Sequence, residues 1–266
     1  MLILLVNCGP AEDYIADCIA SIRSQSVQTW QAIVTIDPAG DATVERALAA
    51  RGGDSRVQIH HNSRWQGPMV NTMQALRQSN AHPEDVIVIL DGDDKFATVE
   101  ALQIIESTYR DFDCWMTYGS WVSDLPDGQG LWPAYPDGLL DFRGHRWLGT
   151  AVRTWKRWLW DLIDDSDFRD ASGLYFAVGE DQAILLPMLE MSGARARHIP
   201  EVLMIYTRSS RHRVCYTRDA ESRCNSAYLT SLPPYQRLIH RPNSGEDVQA
   251  LLLNRKRLRE AISVSG

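Results

Sequence analysis

The chain has 266 residues, 44% of them apolar and 23% charged, enough for a large core in one domain or one domain with an appendage. A formal net charge of -7 argues against a general positive field for nucleic acid, and no stretch approaches the ~20 apolar residues that cross a bilayer. The five cysteines (Cys8, Cys18, Cys114, Cys215, Cys224) are scattered, odd in number and lack a C-x-x-C pair, so they read as reduced thiols in a cytoplasmic setting and not as a disulfide framework or zinc site.

Met1 to Val6 is too short and too poor in basic residues for a secretion signal, and Leu2–Val6 reads as a first strand. Pro10 stands at a first helical position, followed by Ile15, Cys18, Ile19 and Ile22 at helical spacing. Ala32–Ile36 is the next strand and ends at Asp37; Asp41 or Thr43 can cap a helix running to Arg51-Gly52. Val57–His61 is a third strand, a helix opening near Pro68 carries Met69, Met73 and Leu76 inward, and Val86–Leu90 is a fourth strand. Val99, Leu102 and Ile105 mark the helix after it. This alternation predicts an α/β fold with a mostly parallel sheet and helices on both faces, with ligands at the carboxyl ends of the strands.

After residue 110 the rhythm changes. Trp115–Tyr118 is a strand, and the Pro- and Gly-rich residues 124–138 are a loop. Ala151, Trp155, Trp158 and Leu162 fall at helical spacing, in a stretch where Trp147 or Trp155 is either core or the floor of an acceptor pocket. Gly179-Glu180-Asp181 opens a helix that runs to Gly193, Val202–Tyr206 is a closing strand, and the tail from 225 is one helix packed on the surface.

The stretch Val86-Ile87-Val88-Ile89-Leu90-Asp91-Gly92-Asp93-Asp94 sets three carboxylates at the end of a strand whose unbroken apolar run means burial on both faces. An Asp-Gly turn in solvent is the plain alternative. An EF-hand loop fails, because Lys95 and Phe96 stand where the fifth ligand and the glycine belong. A phosphatase would carry its D-x-D after the first strand. A hard-cation site remains: Asp91 and Asp93 holding Mg²⁺ or Mn²⁺, with the ion gripping a diphosphate.

At this point the chain resembles a nucleotide-sugar-dependent glycosyltransferase of the family 2 type with the GT-A fold. The resemblance spans roughly residues 1 to 212 and rests on motifs in order: the opening strand Leu2–Asn7 with Ser24-Gln25-Ser26 after its helix, Asp37, then Asn62, Gly67 and Asn71, the D-x-D of Asp91 and Asp93, Gly179-Glu180-Asp181, and Tyr206-Thr207-Arg208 with His212 displaced. Asn7-Cys8-Gly9 replaces the family's usual Pro-Thr-Tyr-Asn opening. The resemblance implies one GT-A domain over 1–224, with a nucleotide-binding half (1–110) and an acceptor half (111–224), and a C-terminal extension over 225–266. It implies a donor site built on Asn7, Asp37, Asn71, Asp91, Arg208 and Arg211 for a nucleotide sugar, with a UDP-sugar expected. Metal ligation falls to Asp93 and Asp91, with His212 as a third ligand. Asp181 is then the base of an inverting transfer, although an acid in a first helical turn also serves the helix dipole.

The acceptor is a hydroxyl on a glycan or small molecule. Two basic groups leave a second option open: Arg143, Arg146, Arg153, Lys156 and Arg157, and Arg208, Arg211, Arg213, Arg218 and Arg223, could follow a phosphate backbone to a hydroxymethylated base in DNA. Each group is equally well a solvated face. A nucleotidyltransferase would need a Gly-rich loop after the first strand, which Asn7-Cys8-Gly9-Pro10 is not. A non-catalytic nucleotide-sugar-binding module would keep the fold and lack the base.

Overall fold

The computed structural model describes residues 1–126, 130, 132–149, 151–210 and 217–263. Its eight-stranded sheet has the order β3-β2-β1-β4-β7-β6-β8-β5. The strands are β1 Leu2–Cys8, β2 Trp30–Ile36, β3 Val57–His61, β4 Val86–Asp91, β5 Lys95–Phe96, β6 Met116–Ser123, β7 Arg153–Lys156 and β8 Ala196–Tyr206. β3, β2, β1 and β4 run parallel, as do β6 and β8, while β7 is antiparallel to both β4 and β6.

The apolar runs in β1 and β4 reflect burial on two faces. Leu2, Leu4 and Val6 of β1, with Val86, Val88 and Leu90 of β4, pack under helices α1 (Ile15–Arg23), α2 (Thr43–Arg51) and α4 (Ala101–Asp111). Ile3, Leu5, Ile87 and Ile89 point the other way, to α3 (Pro68–Gln78) and α6 (Glu180–Ser192). Strand side chains alternate, so a strand sandwiched between helix layers is apolar at every position.

Four expectations change. The first helix begins at Ile15 and not at Pro10, because the Ala11 amide is held by Thr43 Oγ1 (2.9 Å) and the Ala11 carbonyl accepts from Tyr14 and Ile15. Val99 precedes α4 and is exposed. The expected helix over 151–162 is strand β7 followed by the one-turn helix α5 (Arg157–Trp160). Here the ladder outweighs the spacing: β7 fills the gap between β4 and β6, and Thr154 shares hydrogen bonds with Thr117 Oγ1 (2.6 Å) and Tyr109 (2.9 Å). The tail is not one surface helix but two helices, α7 (Asp219–Ser231) and α8 (Gly245–Ser263), and α7 runs through residues 224 and 225.

The tail is bound by charge as well as by apolar contact. Asp167 is buried and accepts from Arg255 (2.7 and 3.0 Å), Arg259 and Tyr235. Arg143 forms a bidentate pair with Glu190 of α6 (2.6 and 2.9 Å) and donates to the Leu229 carbonyl of α7. Both members are buried, so Arg143 is no surface cation. Breaking a buried pair leaves an uncompensated charge, at a cost of ~3–5 kcal/mol, whereas replacing both members is close to neutral. Arg143→Met should therefore lower unfolding free energy in urea by about that amount, and Arg143→Met/Glu190→Met should recover most of the loss. Equal losses in the two variants would contradict this.

Candidate active site

The carboxyl end of β1 organises the acidic rim. On one side the Asp37 amide donates to the Cys8 carbonyl (2.9 Å); on the other the Gly92 amide donates to the Asn7 carbonyl (2.8 Å). The close approach explains the glycine: a Cβ on Gly92 would sit 2.5 Å from Cys8 Sγ. Pressed onto β1 in this way, the turn keeps Asp91 and Asp93 at the crevice, both partly exposed, while Asp94 is buried and accepts from the Thr207 amide (2.8 Å). Burial, and then Asp93, Asp41, Asp91 and Asp37, push the Cys8 thiol well above its ordinary pKa. Asp91 and Asp93 carry the hard oxygen donors that Mg²⁺ and Mn²⁺ take. Among the described residues there is no group of three or more His, Cys, Asp or Glu side chains placed to hold a metal. The two rim carboxylates fit an ion that draws its remaining ligands from phosphate and water.

Asp37 and its neighbours are arranged differently from the donor contacts expected of them. Asp37 is buried and accepts from Asn62 Nδ2 (2.8 Å) and from the amides of Gln66 (3.1 Å) and Gly67 (2.9 Å). Asn62 also donates to Asn71 Oδ1 (2.8 Å), and Asn71 is buried. These residues tie the loop before α3 to the end of β2, forming the floor of the crevice. Asn7 shares strand parity with Ile3 and Leu5, so its side chain enters the face under α3 and α6, where Nδ2 donates to Thr72 Oγ1 (2.8 Å).

The opposite wall is the start of α6. Gly179 takes φ +85° at the helix N-cap, a conformation that side chains other than glycine's disfavour. Glu180 and Asp181 follow in the first turn, with the Gln182 amide donating to Asp181 Oδ1 (2.8 Å). Arg153 lies between this turn and the rim. It pairs in register with Ile89, two residues before Asp91, and its Nη2 is 4.0 Å from Asp181 Oδ2. Burial works against the charge on Arg153, but Asp181, Asp91 and Glu180 outweigh it and raise its pKa. Sequence reasoning missed this residue by placing it on a helix; read as a strand, the alternation of Arg153, Thr154 and Trp155 would have pointed Arg153 inward.

Arg208 follows Thr207 beyond β8, and its amide donates to Asp124 Oδ1 (2.8 Å), so the Asp94–Thr207 bond brings it next to the D-x-D turn. Arg211, His212 and Arg213 lie outside the described residues. The middle basic group is largely committed to carboxylates: Arg143 to Glu190, Arg153 to Asp181, Lys156 to Glu84 and Arg157 to Asp161. That pairing leaves it little free charge with which to follow a phosphate backbone. Trp155 is fully buried and floors no open pocket.

Beneath Asp181 a cavity of about 10 Å³ is lined by Asn7, Thr72, Arg153, Trp155 and Glu180 among others. Asn7 Oδ1, Arg153 Nε and Trp155 Nε1 are buried there without a hydrogen-bond partner, and each such group costs ~1–3 kcal/mol.

Burial, then the charges of Asp181 and Asp91, push the Glu180 carboxyl up to about 8, against the pull of Arg153. Its folded pKa lies above the ordinary value of 4.5, so its contribution to stability is complete below that value and is lost as pH rises through about 8. Glu180→Gln removes this dependence. In metal-free buffer, the melting temperature of the variant relative to the wild type should climb from about pH 5 to about pH 9; a constant difference would contradict a protonated Glu180.

The profile of Glycosyl transferase family 2 matches residues 2–161. No curated protein matches the chain in sequence. Among solved structures, S. aureus TarS 1-349 is 15% identical with a TM-score of 0.61, covering 96% of this chain and 71% of its own. The mannosyltransferase PcManGT from Pyrobaculum calidifontis, in complex with GDP-Man and Mn²⁺, is 13% identical with a TM-score of 0.56, over 99% of this chain and 75% of its own. Glucosyl-3-phosphoglycerate synthase from Mycobacterium tuberculosis, in complex with Mn²⁺, UDP-Glc and glycerol 3-phosphate, is 14% identical with a TM-score of 0.56, over 87% and 79%. At these identities the likeness is one of fold, and it agrees with the sheet order and helix layers described above. The family profile covers more than half of the chain, and the protein accordingly belongs to glycosyl transferase family 2, as a glycosyltransferase of the GT-A fold.

Proposed function

We propose that the protein carries out a metal-dependent, inverting transfer of a sugar from a nucleoside diphosphate sugar, with a UDP-sugar as the first donor to test, to a hydroxyl on a glycan or small molecule. The observation that carries this reading is the placement of Arg153, which pairs in register with Ile89, two residues before Asp91, and brings its Nη2 to 4.0 Å from Asp181 Oδ2. That placement supports a reading in which the D-x-D and the base act on one donor, as a displacement at an anomeric carbon requires. The structural neighbours PcManGT and glucosyl-3-phosphoglycerate synthase, which hold Mn²⁺ with GDP-Man and UDP-Glc, support the choice of donor class and ion.

In this reading Asp181 accepts the proton of the acceptor hydroxyl as its oxygen attacks, and the anomeric carbon inverts as the bond to the diphosphate breaks. Arg153, whose Nη2 lies 4.0 Å from Asp181 Oδ2, orients the carboxylate. Asp91 and Asp93 would hold Mn²⁺ or Mg²⁺, an ion that would offset charge on the departing diphosphate. Arg208, beside the D-x-D turn, would contact that diphosphate, for which a guanidinium is well shaped; Arg211 is expected to share that role and His212 to supply a further metal ligand. Asp37, Asn62 and Asn71 shape the nucleobase side of the crevice through the 62–67 loop. Residues 1–110 then form the donor half and 111–224 the acceptor half, with the C-terminal extension tied in through the Arg143–Leu229 and Asp167–Arg255 contacts. The described cysteines Cys8, Cys18, Cys114 and Cys224 are free thiols, which favours a cytoplasmic setting. No helix among the described residues is long and apolar enough to cross a membrane.

A general base contributes ~10²–10⁴-fold to rate. Asp181→Asn should lower turnover by that much while UDP with Mn²⁺ still raises the melting temperature as in the wild type. Wild-type turnover in this variant would remove Asp181 from the role.

A further inference from the structure

The cavity beneath Asp181 carries more than the assigned residues explain. Its walls come from five elements: Asn7 near the end of β1, Thr72 of α3, Ile89 of β4, Arg153 and Trp155 two apart on one face of β7, and the first turns of α6 from Glu180. Asn7 is 9% exposed and Trp155 is 0% exposed, so solvent does not serve their unpaired Oδ1 and Nε1. Arg153 Nε is likewise buried and unpaired. The cavity volume of about 10 Å³ is close to that of one water-sized probe. The groups also balance chemically. The lining residues supply two unpaired N–H donors, Trp155 Nε1 and Arg153 Nε, an unpaired amide oxygen on Asn7 and a carboxyl on Glu180. A water molecule accepts two hydrogen bonds and donates two. Leaving three buried polar atoms unpaired costs more than immobilising one water.

We propose that this cavity is a structural water site, in which one internal water accepts from Trp155 and Arg153 and donates to Asn7 and Glu180. The water joins the end of the donor strand to the first turn of the catalytic helix. It fixes the angle at which the Glu180-Asp181 pair meets the rim, which makes Trp155 a positioning residue. The functional part of the inference rests on the reading of Asp181 as the base; the site itself does not.

Trp155→Phe tests it, because the variant removes Nε1–H and keeps a ring able to stack on Trp160, whose centroid lies 6.2 Å away. In crystals of the wild type, a single ordered water should occupy the cavity with four hydrogen-bond partners. In Trp155→Phe it should be lost or displaced. Turnover should fall roughly tenfold with the donor KM within about twofold, since misplacement of a catalytic group acts on kcat. A dry cavity in the wild type would overturn the proposal without any variant. Loss of the water with unchanged kcat would overturn the positioning role. If the water is present and Asp181→Asn turns over normally, the base assignment fails while the water site stands, so the two failures are told apart.

Discussion

Carboxylates gathered around one strand end repel each other, and the local structure is shaped by how that repulsion is contained. Asp37, Asp41, Asp91 and Asp93 each add negative charge that raises the pKa of the buried Cys8 thiol. The backbone forces the arrangement: Asp37 and Gly92 are hydrogen-bonded to consecutive carbonyls of β1, and the Gly92 turn has no room for a Cβ. Asp37 offsets its own charge with three donors from the 62–67 loop. Asp91 and Asp93 remain at the partly exposed lip, the place proposed for a divalent ion.

The second wall is held from behind. α6 presents Glu180 and Asp181 at one end and is clamped at the other by the Arg143–Glu190 pair. The tail helices add the buried Asp167–Arg255 pair to the same support. Rigid backing of this kind matters for catalysis, because a base must meet its proton at a fixed distance. Arg153 connects the two walls from the middle of the sheet. Its strand lies between the one that bears the D-x-D and the one that ends near Arg208, so its charge is shared by both sides of the crevice.

The parts of this arrangement that could be read in the sequence are local ones. The unbroken apolar run of β4 announced a doubly covered strand, the acids after it announced the rim, and Gly179-Glu180-Asp181 announced a helix start. β7 was hidden because Trp155, Trp158 and Leu162 satisfy helical spacing, while a four-residue strand offers too little alternation to compete with it. The same error concealed Arg153. Arg143 passed for a surface cation because its partner Glu190 lies 47 residues away, and the tail passed for a surface helix because Asp167 lies 88 residues before Arg255. Long-range ion pairs carry no periodic signal. Asp37 was placed correctly at a strand end, but its carboxylate turns inward to a loop whose contact depends on Asn62 and two backbone amides.

The melting temperature of the wild type and of Asp91→Asn/Asp93→Asn, each with UDP, with Mn²⁺ and with both, addresses the rim most directly. The double variant without ligand should melt higher than the wild type, since repulsion has been relieved. Mn²⁺ and UDP together should stabilise the wild type by ~2.7 kcal/mol at about one hundred times the dissociation constant, and the metal-dependent part of this gain should disappear in the variant. An unliganded variant no more stable than the wild type, together with an undiminished response to Mn²⁺ and UDP, would contradict a metal site at this rim.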